Sequence, residues 1–210
     1  MYLFLRIGDF IRLYSFYILI YQMKKNQSCV GVSLKTQYLY LMSFLLRYTS
    51  LFLLQDLRIF HSIMKILFLF LTIYIIYLIK YSEKISKSYD KSDDIGNIYI
   101  YLVSSIFISY CFYTEDVLWL ASFILESISF TPQLIMIIRL KEVEVTSNYA
   151  FYLGFYRLSY LIHWILKCFS DFYFLSLPYL ALIQIIIYLI FAYNCYKTKH
   201  HKSYYVTLPY

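Results

Sequence analysis

Residues 36–47 read TQYLYLMSFLLR and residues 146–157 read TSNYAFYLGFYR. Each stretch opens on a threonine and ends on an arginine eleven residues later, about three helical turns on. No other charge lies between. A guanidinium keeps its proton at any ordinary pH, so in apolar surroundings Arg47 and Arg157 each need an anion, carbonyls or water. The 110-residue offset places them at matching points of two halves of the chain. A scaffold rarely needs such a charge twice, whereas a cavity that binds an anion does.

Composition puts these arginines in a membrane. Of 210 residues, 61% are hydrophobic and only 15% charged, well below the quarter common in soluble domains. Seven stretches are apolar enough to span, at about 3–23, 36–55, 62–79, 95–114, 117–138, 147–167 and 172–196. With the N-terminus outside, the loops after spans one, three and five and the tail 197–210 face the cytosol. They hold Lys24, Lys25, Lys35, Lys80, Lys84, Lys87, Lys91, Arg139, Lys141, Lys197, Lys199 and Lys202, against Arg58, Lys65 and Lys167 opposite. That bias predicts a single all-α membrane domain of seven helices, N-terminus lumenal and C-terminus cytosolic. The matching features of helices two and six predict two parallel three-helix bundles joined by helix four, with a site near the midplane. The acceptor triplet Asn26-Gln27-Ser28 then falls on the cytosolic side and is read as unused.

Several function classes drop out. The lysines form no basic stripe with spaced aromatics, so no nucleic acid is expected. The cysteines at 29, 111, 168 and 195 have no C-x-x-C or histidine spacing, and His200-His201 reads as a solvated pair, so neither metal nor cofactor is expected. No nucleophile and base pair or phosphate loop is present, which points to binding rather than catalysis. The bland reading of Arg47 and Arg157 is that they bond to nearby carboxylates or carbonyls. The spans hold Arg6, Arg12, Arg47 and Arg157 against Asp9 and Glu126, with Asp116 and Lys167 near mouths. Cations exceed anions, so internal pairing does not neutralise them all. Tyr48, Tyr156, Tyr160 and Trp164 lie within a turn or two of the arginines, and Trp119 one turn after Asp116, although a chain with 22% aromatics produces such clusters by chance.

The motifs taken together resemble the KDEL receptor family, Golgi-to-ER retrieval receptors for soluble ER residents. The resemblance runs from Leu3-Phe4-Leu5-Arg6-Ile7-Gly8-Asp9 through Ser28-Cys29-Val30-Gly31, Lys35-Thr36-Gln37 and Arg47-Tyr48. It continues through Leu118-Trp119, Leu125-Glu126-Ser127, Pro132-Gln133-Leu134, Gly154-Phe155-Tyr156-Arg157, Tyr160-Leu161 and Trp164 to Thr207-Leu208-Pro209. It implies a fold like that of PQ-loop and sugar-efflux transporters, residence in ER and Golgi membranes among membrane lipid, and binding of C-terminal tetrapeptides. Carried over, Arg47 with Tyr48 holds the terminal carboxylate, Asp116 faces the ligand's basic residue, Trp119 keeps the family's ligand-site tryptophan, and Lys167 meets an acidic side chain. Tyr156, Arg157 and Tyr160 form a closing cluster beside Trp164, and Lys197, Lys199 and Lys202 are read by the COPI coat.

The departures cluster on helix one. The family's arginine there falls at Leu5, so Arg6 points about 100° away from the same ligand group, and Arg6, Asp9 and Arg12 are expected either to meet the ligand or to pair within helix one. Arg12 replaces a histidine that senses pH in the family, and does not titrate between pH 5 and 8. Ser50 replaces an aspartate. His163 replaces an asparagine and is the expected substitute sensor, against the plainer reading of a packed histidine. Two other classes stay open: a small-solute transporter on the same fold, which Thr131-Pro132-Gln133 fits equally, and an assembly role without ligand.

Overall fold

The computed structural model describes residues 3–48, 59–112, 116–140, 147–169, 179, 182–190 and 193–194, and every regular element among them is helical. In chain order these are α1 (Leu3–Asn26), α2 (Leu34–Arg47), α3 (Ile59–Tyr81), α4 (Ile98–Cys111), α5 (Val117–Ile128), α6 (Thr131–Leu140) and α7 (Ser147–Cys168), followed by α8 at 182–190. α1 packs along α7, α2 lies between α3 and α5, and α4 covers α5.

Unlike the helices of a soluble bundle, α3 turns an apolar face outward as well as inward, and α4 turns one outward. α3 exposes Ile59, Ile63, Ile66, Phe70, Ile73 and Tyr77, a stripe at alternating four- and three-residue steps, and buries Thr72 with Met64, Phe68 and Ile75. On α4 the buried residues are Ser105 and Ser109, while Tyr99, Val103 and Phe107 face outward. Apolar outside and polar inside suits a lipid solvent, where polar groups gain by turning to one another. The buried hydroxyls are satisfied by backbone carbonyls: Thr72 donates to Phe68 at 2.7 Å and Ser105 to Leu102 at 2.8 Å within their own helices, and Ser109 donates across to Val117 of α5 at 2.7 Å. Among the described residues, α3 and the pair α5–α6 are long and apolar enough to cross a membrane.

The stretch expected as one span at 117–138 is broken into α5 and α6 by a turn at Ser129 and Phe130. Pro132, second residue of α6, lacks an N–H and crowds the carbonyl four residues back, so the chain restarts there with Leu134 N–H on the Phe130 carbonyl at 3.0 Å. The end of the expected second span, the start of the seventh, Ser50, Thr146, Cys195, His200-His201 and the tail lysines Lys197, Lys199 and Lys202 lie outside the described residues.

A polar knot ties the loops at one end. Asp94, which the sequence placed in a charged loop, is buried. Its carboxylate accepts from the Ser33 hydroxyl at 2.7 Å, the Lys35 N–H at 3.0 Å and the Tyr89 hydroxyl at 2.8 Å. Burial, with that bond to Asp94, holds the Tyr89 phenol well above its usual range. Ser33 also caps α2, accepting the Thr36 N–H at 3.1 Å. The Gln133 amide oxygen takes the Ser33 N–H at 2.8 Å, its amide nitrogen reaches the Gly31 carbonyl, and its N–H bonds the Thr36 hydroxyl at 3.1 Å. Cys29 joins the knot through its N–H on Ser88 Oγ at 2.8 Å, and burial pushes its thiol up, away from reactivity.

α1 and α7 meet closely at Gly8, where an added Cβ lies 2.6 Å from the Tyr160 ring. The ring has little freedom to retreat, because its hydroxyl is bonded to Asp9. Gly8→Ala is expected to cost about 1–3 kcal/mol by overpacking. At Gly154 the nearest atom is 3.7 Å away, so Gly154→Ala is expected to be neutral or to stabilise by about 0.5–1 kcal/mol through helix propensity. Thermal unfolding of the purified variants checks the contrast.

Candidate functional site

Helix period places Trp119, Ser122, Phe123 and Glu126 on one face of α5, at steps of three, four and seven. That face meets the last turn of α2. Arg47 Nε donates to Ser122 Oγ at 3.1 Å, its guanidinium lies 3.9 Å from the centre of the Phe123 ring, and its Nη2 pairs with Glu126 Oε2. Ser122 keeps its own proton on the Trp119 carbonyl at 2.6 Å, leaving its oxygen free to accept.

Glu126 is wholly buried and serves three arginines. Its Oε1 accepts from Arg12 Nη1 of α1 at 2.6 Å, pairs with Arg157 Nη2 of α7, and accepts the Tyr156 hydroxyl at 3.1 Å. The bland reading is therefore half right. Arg47 and Arg157 do bond to a carboxylate, but they share a single one, and Arg12 shares it too. With Asp9 included, three guanidiniums meet two carboxylates and one positive charge stays over. Arg12 Nε and Nη2 and Arg157 Nε are buried donors without an acceptor among the described residues.

Aromatic rings replace the missing solvent. Phe44 and Tyr156 lie 4.4 and 4.6 Å from the Arg12 guanidinium, and Phe68, Tyr40 and Phe16 complete the shell within 6 Å. Desolvated cation–π contacts of this kind contribute up to about 2 kcal/mol each and let a cation sit where water is excluded. Arg12, which entered the sequence reading as a departure, is one of the two most buried arginines, with Arg157.

From Arg47 an aromatic wall runs outward. Phe123 meets Trp119 edge-on at 4.8 Å and Trp164 at 6.0 Å, and Lys167 Nζ lies 5.4 Å from the Trp164 ring. Asp116, exposed at the start of α5, caps it by accepting the Trp119 N–H at 3.0 Å. Tyr48 stacks on Phe44 within α2, and Lys65 Nζ of α3 lies 5.5 Å from its ring. Tyr160 bonds Asp9 rather than Glu126. His163 is buried against Trp164, ring centres 5.2 Å apart.

Thus the structure gathers Arg47, Trp119, Tyr156, Arg157, Trp164, Lys167 and Arg12 around one line of contacts. Arg6 stays out of it, exposed on α1 with its guanidinium 5.4 Å from the Phe60 ring. The one-residue offset from Leu5 explains this, since it turns Arg6 away from the face that carries Asp9 and Arg12. Glu126, Ser122 and Phe123 were absent from the expected ligand-binding set. Glu126 alone carried a signal, as the single acid in an apolar stretch.

The family model for the ER lumen protein retaining receptor matches residues 28–167. The ER lumen protein-retaining receptor of Plasmodium falciparum is 36% identical over 200 residues, covering 89% of this chain and 88% of the relative. Receptor 3 of Xenopus laevis is 35% identical over 212 residues, with 97% and 96% covered. Receptor 2 of Homo sapiens is 33% identical over 211 residues, with 96% of both chains covered.

Removing Glu126 leaves three buried guanidiniums without their counter-ion, so Glu126→Leu is expected to destabilise by about 3–5 kcal/mol. Adding Arg12→Leu removes one of the stranded charges and is expected to recover part of that loss. Thermal unfolding of both variants checks this; a double variant no better than the single refers the loss to packing instead.

Proposed function

The chain belongs to the ER lumen protein retaining receptor family, and from that premise we propose that it captures the C-terminal retrieval signal of soluble ER-resident proteins at Arg47. Supporting this reading is the surplus charge: a buried cluster one anion short of neutrality, whose most accessible arginine opens on an aromatic wall. Arg47 presents a planar fork that suits a terminal carboxylate. Trp119 and Trp164 flank the chain of the peptide, Lys167 reads an acidic side chain, and Asp116 at the rim attracts a basic one. From Asp116 to Phe123 the axis of α5 rises roughly 10 Å, and an extended tetrapeptide reaches about 13 Å, so four residues cover the path from rim to Arg47.

The chain is proposed to do this as seven spans in the ER and Golgi membranes, N-terminus lumenal, with two three-helix bundles joined by α4. Tyr156, Arg157 and Tyr160 of α7 close on the loaded site. Lys197, Lys199 and Lys202 of the cytosolic tail then engage the COPI coat for return to the ER.

Purified protein is expected to retain a labelled peptide ending in Lys-Asp-Glu-Leu and to release its C-terminally amidated twin. Arg47→Ala is expected to weaken peptide binding roughly 10- to 100-fold, the worth of one charge-assisted hydrogen-bonded pair. Equal retention of peptide and amide sinks carboxylate capture. The three guanidiniums keep their charge from pH 5.5 to 7.4 and contribute no pH dependence, and His163 is proposed as the group that does. His163→Ala is expected to flatten the profile. A profile unchanged in His163→Ala overturns that assignment.

A further inference from the structure

We propose that Glu126 is the resident counter-ion of Arg47, and that the incoming carboxylate takes Arg47 over from it while the rest of the cluster stays in place. This rests on the reading that Arg47 receives a terminal carboxylate.

The two oxygens of Glu126 are held very differently. Oε1 takes directed hydrogen bonds from Arg12 Nη1 and the Tyr156 hydroxyl, and pairs with Arg157, which binds it to α1 and α7. Oε2 has Arg47 Nη2 for its ion partner, and neither of those two atoms has a directed hydrogen bond among the described residues. Arg157 Nη2 also lacks a directed hydrogen bond, but the oxygen it meets stays held by Arg12 and Tyr156, whereas Oε2 meets Arg47 alone, so the Arg47–Oε2 contact is the one that yields at least cost. Exposure agrees: the Arg12 and Arg157 side chains are 2% and 4% accessible and Glu126 is closed off, whereas Arg47 is 13% accessible.

Arg47 is also placed without help from Glu126. Ser122 holds its Nε and Phe123 lies under its plane, so the guanidinium keeps its orientation when Oε2 withdraws. Both bidentate edges of a guanidinium include Nη2, the atom that Oε2 occupies. A carboxylate seeking two-point capture therefore competes with Glu126 for it. After the exchange Glu126 remains with Arg12, Arg157 and Tyr156, and the ligand supplies the anion by which the total charge had fallen short. Loading thus replaces the ionic part of the α2–α5 link by a link with the ligand, keeps the Ser122 and Phe123 contacts of Arg47, and leaves the α1–α5–α7 links intact.

Isotope-edited infrared spectroscopy reads this directly. Replacing Glu83, Glu115, Glu142 and Glu144 by Gln leaves Glu126 as the sole glutamate, so carbon-13 glutamate labels it alone. The unlabelled Lys-Asp-Glu-Leu peptide is expected to shift the labelled carboxylate band, and the amidated peptide is expected to leave it unmoved. Carboxylate-dependent binding without any shift means that Glu126 keeps Arg47, which overturns the exchange and leaves the receptor reading standing. Absence of carboxylate-dependent binding overturns both. If the four-fold variant does not fold, the fully labelled native chain is compared with Glu126→Asp, where the shifted band is expected to vanish from the difference spectrum and its persistence overturns the assignment.

Discussion

One buried carboxylate with three arginines on it is the constraint around which this molecule is arranged. Glu126 belongs to α5, and its partners come from α1, α2 and α7. Four helices are therefore registered against one another by a single side chain. A buried ion pair is weak evidence for stability, because desolvating the charges costs about as much as their attraction returns. What it fixes is geometry. Leucines packed in the same volume would let α1 or α7 slide by a turn, whereas among the described residues the other carboxylate beside these arginines is Asp9, which Tyr160 already bonds.

The aromatic content follows from this centre. A chain that buries three arginines where water is excluded needs a polarisable lining, and Phe16, Tyr40, Phe44, Phe68 and Tyr156 supply it around Arg12 while Phe123 supplies it under Arg47. Ring quadrupoles attract cations without adding negative charge. The site thus holds its arginines and still leaves their surplus charge for a ligand. Carboxylates in the same places would have neutralised it.

How much of this was legible in the sequence depended on the kind of information required. The all-helical fold and the convergence of Arg47 and Arg157 came from apolar length and from the spacing repeated in two halves, both of which are local properties. The sharing of one carboxylate did not, because periodicity says which residues share a face of α5 and nothing about which helix that face meets. The count of intramembrane charges pointed to a surplus and was right in sign, but it left Glu126 anonymous within the total. Arg12 was misjudged for a similar reason: compared position by position it was a lost histidine, and only packing reveals it as a hub. Asp94 was the hardest to read. In sequence it ends a run of lysines and aspartates that looks solvated, and its burial follows from three donors, Ser33 and Lys35 at the start of α2 and Tyr89 in the loop before α4.

The two polar layers bear on one another through α5 and α6. Glu126 and Gln133 are seven residues apart on this nearly continuous rod, with the turn at Ser129 and Phe130 between them. Gln133 is bonded to Gly31, Ser33 and Thr36, which ties the start of α6 to the start of α2. At that end α2 and the rod are joined by neutral hydrogen bonds, several of them and each directed. At the other end they are joined by the Arg47 side chain. The rod and α2 are thus fastened twice, by the directed hydrogen bonds of Gln133 at one end and by Arg47 on Ser122, Phe123 and Glu126 at the other.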